Sequence, residues 1–249
     1  MTLRHVRMKN QFFGDINDYR KYGLLRALCG GDTTLAVCWM LTPDDGGPDG
    51  AKTAYLRDPN KWRCYDPELF DSLSRAVPDN RNVRWADTSG ILPNAVFHAA
   101  WLKDDLAERQ RYFQEFFSLA LDRDLIFFDP DNGLEVPSKP YGRKSSSKYV
   151  FWREVEQAWA TGPSILIYQH FPRDEELSGF ISRKAEELRT TLRIAKVVSF
   201  RTPHVVFFLA HQPKHQFLLG RARKIEQVWG DQIQVQFHPP LPDKMETGQ

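Results

Sequence analysis

Leu125-Ile126-Phe127-Phe128-Asp129-Pro130-Asp131-Asn132-Gly133-Leu134-Glu135 is the stretch that decides how this chain is read. Four apolar residues run without interruption and then give way to carboxylates, a proline and a glycine. An unbroken apolar run of this kind suits a strand buried on both faces, as in a parallel sheet covered by helices. Ligands of such sheets bind in the crevice beyond the carboxyl ends of the strands, so the polar ending of this strand stands where a site is built. Asp-Pro and Asn-Gly are also good turn formers, and a plain turn is the competing reading.

Helices and strands alternate outward from this point. Upstream, Leu106, Tyr112, Phe113, Phe116, Phe117 and Ala120 recur near helical spacing, and Asp105 and Glu108 are spaced as a capping pair, so a helix from about residue 104 feeds the strand. Downstream come a basic, serine-rich loop over 138–148, a helix over 150–159 and a second apolar run with a polar end, 164–170. Residues 174–192 place Leu177, Phe180, Ile181, Ala185, Leu188 and Leu192 on one helical face. The short apolar runs 195–200 and 205–210 flank Thr202-Pro203 as a hairpin would, and 217–237 has room for a further helix and strand.

Toward the N-terminus, Tyr19, Tyr22, Leu24, Leu25 and Leu28 predict a helix over 17–29 that Gly30-Gly31 stops. Residues 34–41 read as a buried strand that opens into an aspartate and glycine loop, Thr42-Pro43-Asp44-Asp45-Gly46-Gly47-Pro48-Asp49-Gly50. Between 51 and 94 the pattern weakens to a short helix over 66–73 and a strand over 83–86. The alternation predicts an α/β fold with an open, mostly parallel central sheet, helices on both faces and a C-terminal antiparallel hairpin. We read one domain over 1–249, with an N-terminal helical segment at about 10–30 and an inserted region at about 51–104.

Hydrophobic residues at 41% and charged residues at 27% describe a folded chain rather than a disordered one. A formal charge of +2 does not mark a nucleic-acid binder, so local basic segments must carry that role. Cys29, Cys38 and Cys64 are odd in number, lack metal-ligand spacing and have apolar neighbours, which predicts reduced core thiols. The first residues mix Arg4, Arg7 and Lys9 with polar groups and lack the apolar centre of a secretory signal. No stretch approaches the roughly 18 apolar residues that span a bilayer, so a cytoplasmic chain without membrane association is the expectation.

Three signals occur in order: Gly14-Asp15-Ile16-Asn17-Asp18-Tyr19-Arg20-Lys21-Tyr22, a strand with a glycine loop, and a later strand ending in Asp-Pro. Together they resemble the bacterial 23S ribosomal RNA adenine-N6 methyltransferases, which open on Gly-Asn-Phe-Ala-Asp-x-x-Lys-His ahead of a Rossmann-like domain. Gly14, Asp18 and Lys21 match that segment in place. The family's Asp-Pro-Pro-Tyr motif corresponds to Asp129-Pro130-Asp131-Asn132, alike in its first two residues. Its Asp-x-x-Ala-Gly-x-Gly loop corresponds to 42–48, with added acidic groups. The likeness spans about 14–50 and 124–173. It implies a Rossmann-like, methyltransferase-like three-layer sandwich that takes S-adenosylmethionine as cofactor and methylates an exocyclic amine in nucleic acid or a nucleotide.

The resemblance implies roles for particular residues. Asp129 and the Pro130 carbonyl would accept the two hydrogen bonds of the target amine, pushing electron density toward a nitrogen that becomes cationic. His170, ending the next strand, is a third catalytic candidate, set against the commoner case of a structural histidine. Asp18, Lys21 and Tyr22 would lie beside the cofactor, with Lys21 meeting its carboxylate. Asp44, Asp45, Gly46 and Gly47 would border it, glycine for close backbone approach and acid for ribose hydroxyls or the amino group. Asp131, Asn132, Lys144, Lys148, Tyr168 and Arg173 are substrate-binding candidates, since cations mixed with aromatics suit phosphate contact and base stacking. Asp131 and Asn132 cannot themselves stack as an aromatic would.

Two other readings stay open. Asp129, Asp131 and Glu135, followed by the lysines of the basic loop, are the groups a Mg²⁺-dependent nuclease needs. A non-catalytic nucleic-acid-binding protein on a methyltransferase-like shell is the third.

Overall fold

The computed structural model describes residues 13–43, 52–79, 81–82, 84–172 and 174–239. Helix α1, Ile16–Cys29, begins where the Asp15 carboxylate accepts the N–H groups of Asn17 and Asp18, and ends at Gly30 in the left-handed conformation. Strand β1, Leu35–Cys38, follows. Helices α2 (Pro59–Trp62), α3 (Pro67–Asp79) and α4 (Trp85–Thr88) lead to β2, Ala95–His98. Helix α5, Leu106–Leu119, capped by Asp105 as its spacing predicts, leads to β3, Leu125–Phe128. Strands β4 (Gly133–Leu134) and β5 (Tyr149–Val150) pair in a small separate sheet. Then come α6 (Trp152–Ala160), β6 (Ser164–His170), α7 (Leu177–Leu192), β7 (Val197–Arg201), β8 (Val205–Ala210), α8 (Phe217–Trp229) and β9 (Gln234–His238).

The main sheet has the order β2-β1-β3-β6-β8-β7-β9. β2, β1, β3 and β6 are parallel, whereas β8 is antiparallel to both β6 and β7, and β9 is antiparallel to β7. The sheet is therefore mixed, parallel in its first half, rather than mostly parallel throughout. Helices separate the strands of the first half, while the turn 202–204 between β7 and β8 is too short for a crossover and forces the hairpin.

Alternate residues of the parallel strands serve two cores. Val37, Phe127 and Leu166 face α1, α3 and α8; Ala36, Ile126 and Ile165 face α5, α6 and α7. Every residue of β1 and β3 is buried, which is why their sequences run apolar without alternating.

The region 51–104, expected to be an insertion, carries β2, which pairs with β1 from Leu35↔Ala95 to Cys38↔His98. Only His98 of this edge strand is buried, so its sequence lacks a strand's pattern. Of the strand expected at 83–86, Val83 lies outside the described residues and Trp85 begins α4 instead. β1 stops at Cys38 rather than running to residue 41, because Met40 turns to a positive φ of 47°. Cys29 and Cys38 are buried thiols, but Cys64 is exposed and not a core residue. No helix among the described residues is long and apolar enough to cross a membrane.

Candidate active site

The chain passes from β1 to β2 on one flank and then returns to β3 on the other flank of β1. Strand order thus reverses between β1 and β3, and such a topological switch point is the position at which open α/β sheets hold ligands. Asp129 is the first residue past β3. Its N–H donates to the Cys38 carbonyl at 3.0 Å, which anchors it at this switch point. By the alternation of the strand it lies on the side of Phe127, beneath α1.

Lys21 reaches it from α1. Its Nζ donates to Asp129 Oδ2 at 2.9 Å and lies 2.9 Å from Asp18 Oδ1, one helical turn away. The same ammonium stands 5.2 Å from the Trp39 ring centre and 5.5 Å from that of Tyr22. Asp18 is fixed in turn, its Oδ2 accepting the Gly14 N–H at 3.0 Å and the Tyr22 hydroxyl at 3.4 Å. Gly14 must be glycine: its φ is 71°, and a Cβ there would meet Val77 Cγ2 at 2.2 Å. The N-terminal motif is thus a physical unit, in which a glycine turn fixes a carboxylate and the carboxylate places a lysine.

Burial alone would lower the Lys21 pKa, but Asp129 and then Asp18 outweigh it and hold the ammonium well above its ordinary value. Burial pushes the Asp129 carboxyl above the usual carboxylate range, against the pull of Lys21, and the charges of Asp18 and Asp131 add to the rise. Among the described residues Lys21 is the one hydrogen-bond donor to Asp129, and it engages a single oxygen. Thr42 Oγ1 donates to Asp131 Oδ2 at 2.7 Å, tying the loop after β1 to the loop after β3.

The structure gathers Asp18, Lys21, Tyr22, Asp129 and Asp131 around this point. Tyr168 joins them: Phe128 pairs with Ile167, so Tyr168 lies laterally beside Asp129. It is half-buried with its ring edge-on to Phe207, and burial, followed by the charge of Asp129, pushes its phenol pKa up. Pro130 is buried beside it. His170 sits two residues further along β6, exposed on the rim.

Asn132 acts through its backbone. Its N–H donates to the Lys148 carbonyl, and its own carbonyl accepts from the His170 N–H and from Gln169 Nε2. Lys148 is thereby part of the framework, while Lys144 is exposed on the basic loop. Asp44, Asp45, Gly46, Gly47 and Arg173 lie outside the described residues. Lys21, which the resemblance sets against a cofactor carboxylate, donates instead to Asp129 and is ion-paired with Asp18, both carboxylates of the protein itself.

The Mg²⁺ alternative loses a member of its trio. Glu135 Oε2 accepts the Trp152 N–H at 2.8 Å and so caps the start of α6. No group of three or more His, Cys, Asp or Glu among the described residues is arranged to hold a metal ion.

Several contributors gave little sign in the sequence. Gln169, 6% exposed, accepts the Leu134 N–H on Oε1 and donates to the Asn132 and His170 carbonyls, and its one clue is a polar residue inside an apolar strand. It lies against Gly133, where a Cβ would stand 2.3 Å from Gln169 Oε1. The basic loop is also held from beneath. Arg109 grips both oxygens of Glu154 at 2.7 Å and donates to the Ser146 and Tyr149 carbonyls, while Asp104 accepts the N–H groups of Ser145 and Ser147. An arginine on an amphipathic helix reads as solvated, so nothing in the spacing announces Arg109.

A scan against models of known protein families finds no match to this chain, and a search of curated proteins finds none either.

Proposed function

We propose that this chain is an S-adenosylmethionine-dependent methyltransferase with a Rossmann-like sheet, acting on an exocyclic amine of a nucleic acid or nucleotide. The observation that carries this reading is Asp129 at the switch point, with one carboxylate oxygen clamped by Lys21 and the other engaged by no described donor. The parallel half-sheet covered on both faces and the antiparallel hairpin that follows agree with the shell the sequence resemblance implies.

The donor set fits the cofactor in kind. Asp18 and Asp129 flank a single ammonium while the charge of Asp131 acts on Asp129, and the excess negative charge suits a molecule carrying a sulfonium and an amino group. Asp18 and the loop that leaves β1 toward Thr42 would hold it. When bound, the cofactor supplies an electrophilic methyl group. Asp129 would accept a hydrogen bond from the incoming amine on its remaining oxygen, orient the nitrogen lone pair and stabilise the positive charge growing there. Lys21 counters the effect of burial on Asp129 and so favours the ionised carboxylate this role needs. Tyr168 offers, beside Asp129, the aromatic face that Asp131 and Asn132 do not provide.

Calorimetry with S-adenosylmethionine and S-adenosylhomocysteine tests the reading. Binding of both is expected, retained in Asp129→Asn while methyl transfer is lost. Absence of heat with both ligands sinks it. Mg²⁺-dependent phosphodiester cleavage abolished by Asp129→Ala would establish the nuclease alternative, and nucleic-acid binding without either activity would establish the non-catalytic one.

A further inference from the structure

The carboxyl end of β1 carries a held turn. Trp39 donates its N–H to the His98 carbonyl of β2 at 3.2 Å, and on the opposite edge the Cys38 carbonyl accepts the Asp129 N–H at 3.0 Å. Successive backbone groups of a strand serve opposite neighbours, so in a continuing strand the Met40 N–H would face β3. It does not. Met40 adopts a φ of 47°, uncommon outside glycine, and its N–H donates at 3.1 Å to the hydroxyl of Tyr112 on α5.

Beyond Met40 the chain keeps to the β2 side. Leu41 bridges to Trp101, and its carbonyl accepts the Leu102 N–H at 2.9 Å. Thr42 then reaches back to Asp131 through its hydroxyl. Two ties therefore join the exits of β1 and β3, Cys38 to Asp129 and Thr42 to Asp131, while the Met40 N–H between them is bonded to α5. Trp39, whose ring centre stands 5.2 Å from Lys21 Nζ, immediately precedes the turn.

Tyr112 is built for this contact. It is buried with its ring edge-on to His98, the two centres 4.4 Å apart, and Cys38 Sγ lies 3.4 Å from its oxygen. Burial, followed by Cys38, holds the phenol well above its ordinary range, so the hydroxyl stays neutral. Met40 is buried too, and its N–H needs an acceptor within the protein. A residue other than glycine persists at positive φ where its surroundings fix it, and such positions cluster at ligand sites.

We infer that Tyr112 is a positioning residue for the switch point: its hydroxyl holds the Met40 peptide out of the β1–β3 ladder and so keeps the stretch between the two ties open to a ligand. That the ligand is S-adenosylmethionine rests on the methyltransferase reading above; the held turn does not.

Four full-length chains test the role: the parent, Tyr112→Phe, Met40→Gly and the double variant. Phenylalanine keeps the ring and removes the acceptor, whereas glycine takes up a positive φ without a tether. Calorimetry with S-adenosylhomocysteine is expected to show binding about tenfold weaker in Tyr112→Phe, near-parental binding in Met40→Gly, and recovery of most of the loss in the double variant. Parental affinity in Tyr112→Phe overturns the role. A double variant as weak as Tyr112→Phe does so too, because a ring acting by packing alone is not rescued at residue 40. If the parent binds no S-adenosylhomocysteine, the methyltransferase reading falls and the turn is judged without ligand. The one-bond Cα–Hα NMR coupling of residue 40, which separates positive from negative φ, is expected to move to its negative-φ range in Tyr112→Phe. An unchanged coupling overturns the tether.

Discussion

Two buried ion pairs anchor helices of this protein, one joining α5 to α6 and the other α1 to the end of β3, and they are built to opposite ends. Arg109 and Glu154 are almost wholly enclosed, matched one charge to one, with two parallel 2.7 Å bonds between them. Arg109 also donates to the Ser146 and Tyr149 carbonyls, Glu154 also accepts the Phe151 N–H, and the rings of Phe113, Tyr141 and Phe151 surround the guanidinium. Lys21 instead faces two carboxylates at once, with a third close by, and one oxygen of Asp129 is left without a described donor. A closed, balanced pair holds a loop in place. An unbalanced pair at a switch point retains capacity to bind something else, and that residual capacity separates a site from a staple.

The largest expected effect comes from breaking the closed pair. Arg109→Met leaves Glu154 ionisable and buried without a partner, and unfolding in urea is expected to show a loss of about 3–5 kcal/mol. Arg109→Met/Glu154→Leu should recover most of it, because two apolar groups replace the pair; a double variant as unstable as the single one would show that the guanidinium matters chiefly through its carbonyl contacts.

Lys21→Met tests the open cluster and should cost less, about 2 kcal/mol, since both ends of this pair retain some solvent contact. Without the ammonium the folded pKa of Asp129 rises further above its unfolded value. The variant should therefore come nearest the parent in acid, and the gap should widen as pH rises through the carboxylate range. A gap independent of pH would mean that Lys21 acts by packing alone.

Asp15→Asn is expected to stabilise. Burial, followed by the charge of Asp18, pushes the Asp15 pKa up to about 6 from 3.8. The folded state holds that proton more tightly, so this contribution is fully present below the unfolded value and is lost as pH climbs through about 6. Asparagine keeps the helix cap and carries no charge, so the variant should exceed the parent by about 1–2 kcal/mol near neutral pH and match it in acid. Equal stability at both ends would contradict the proposed cost of ionising Asp15.

The smallest effect is expected at Glu135. Glu135→Ala removes the acceptor at the start of α6 and should cost about 0.5–1 kcal/mol, leaving ligand binding at Asp129 intact. Loss of ligand binding as well would return Glu135 to the site.

Local rules carried much of the fold. The apolar runs of β1, β3 and β6, the Asp105 cap of α5, the Gly30 stop of α1 and the hairpin around residues 202–204 were all legible, because burial, capping and turn geometry act over a few residues. β2 was not legible: an edge strand buries too little to leave a pattern. Within the site, the sequence identified Asp129 as a strand-end carboxylate and Lys21 as part of a motif, but Thr42, Gln169 and Arg109 carried no comparable mark.

What the sequence determined by itself, then, was the alternation of helix and strand and the residue types waiting at the strand ends, since both follow from neighbours along the chain. Only the tertiary structure decided that Lys21 and Asp129, far apart in sequence, would meet at 2.9 Å, that Glu135 would cap a helix, and that Lys52 would approach His204. Those outcomes depend on strand order and on which charges are buried together, and neither quantity is encoded in any local window of residues.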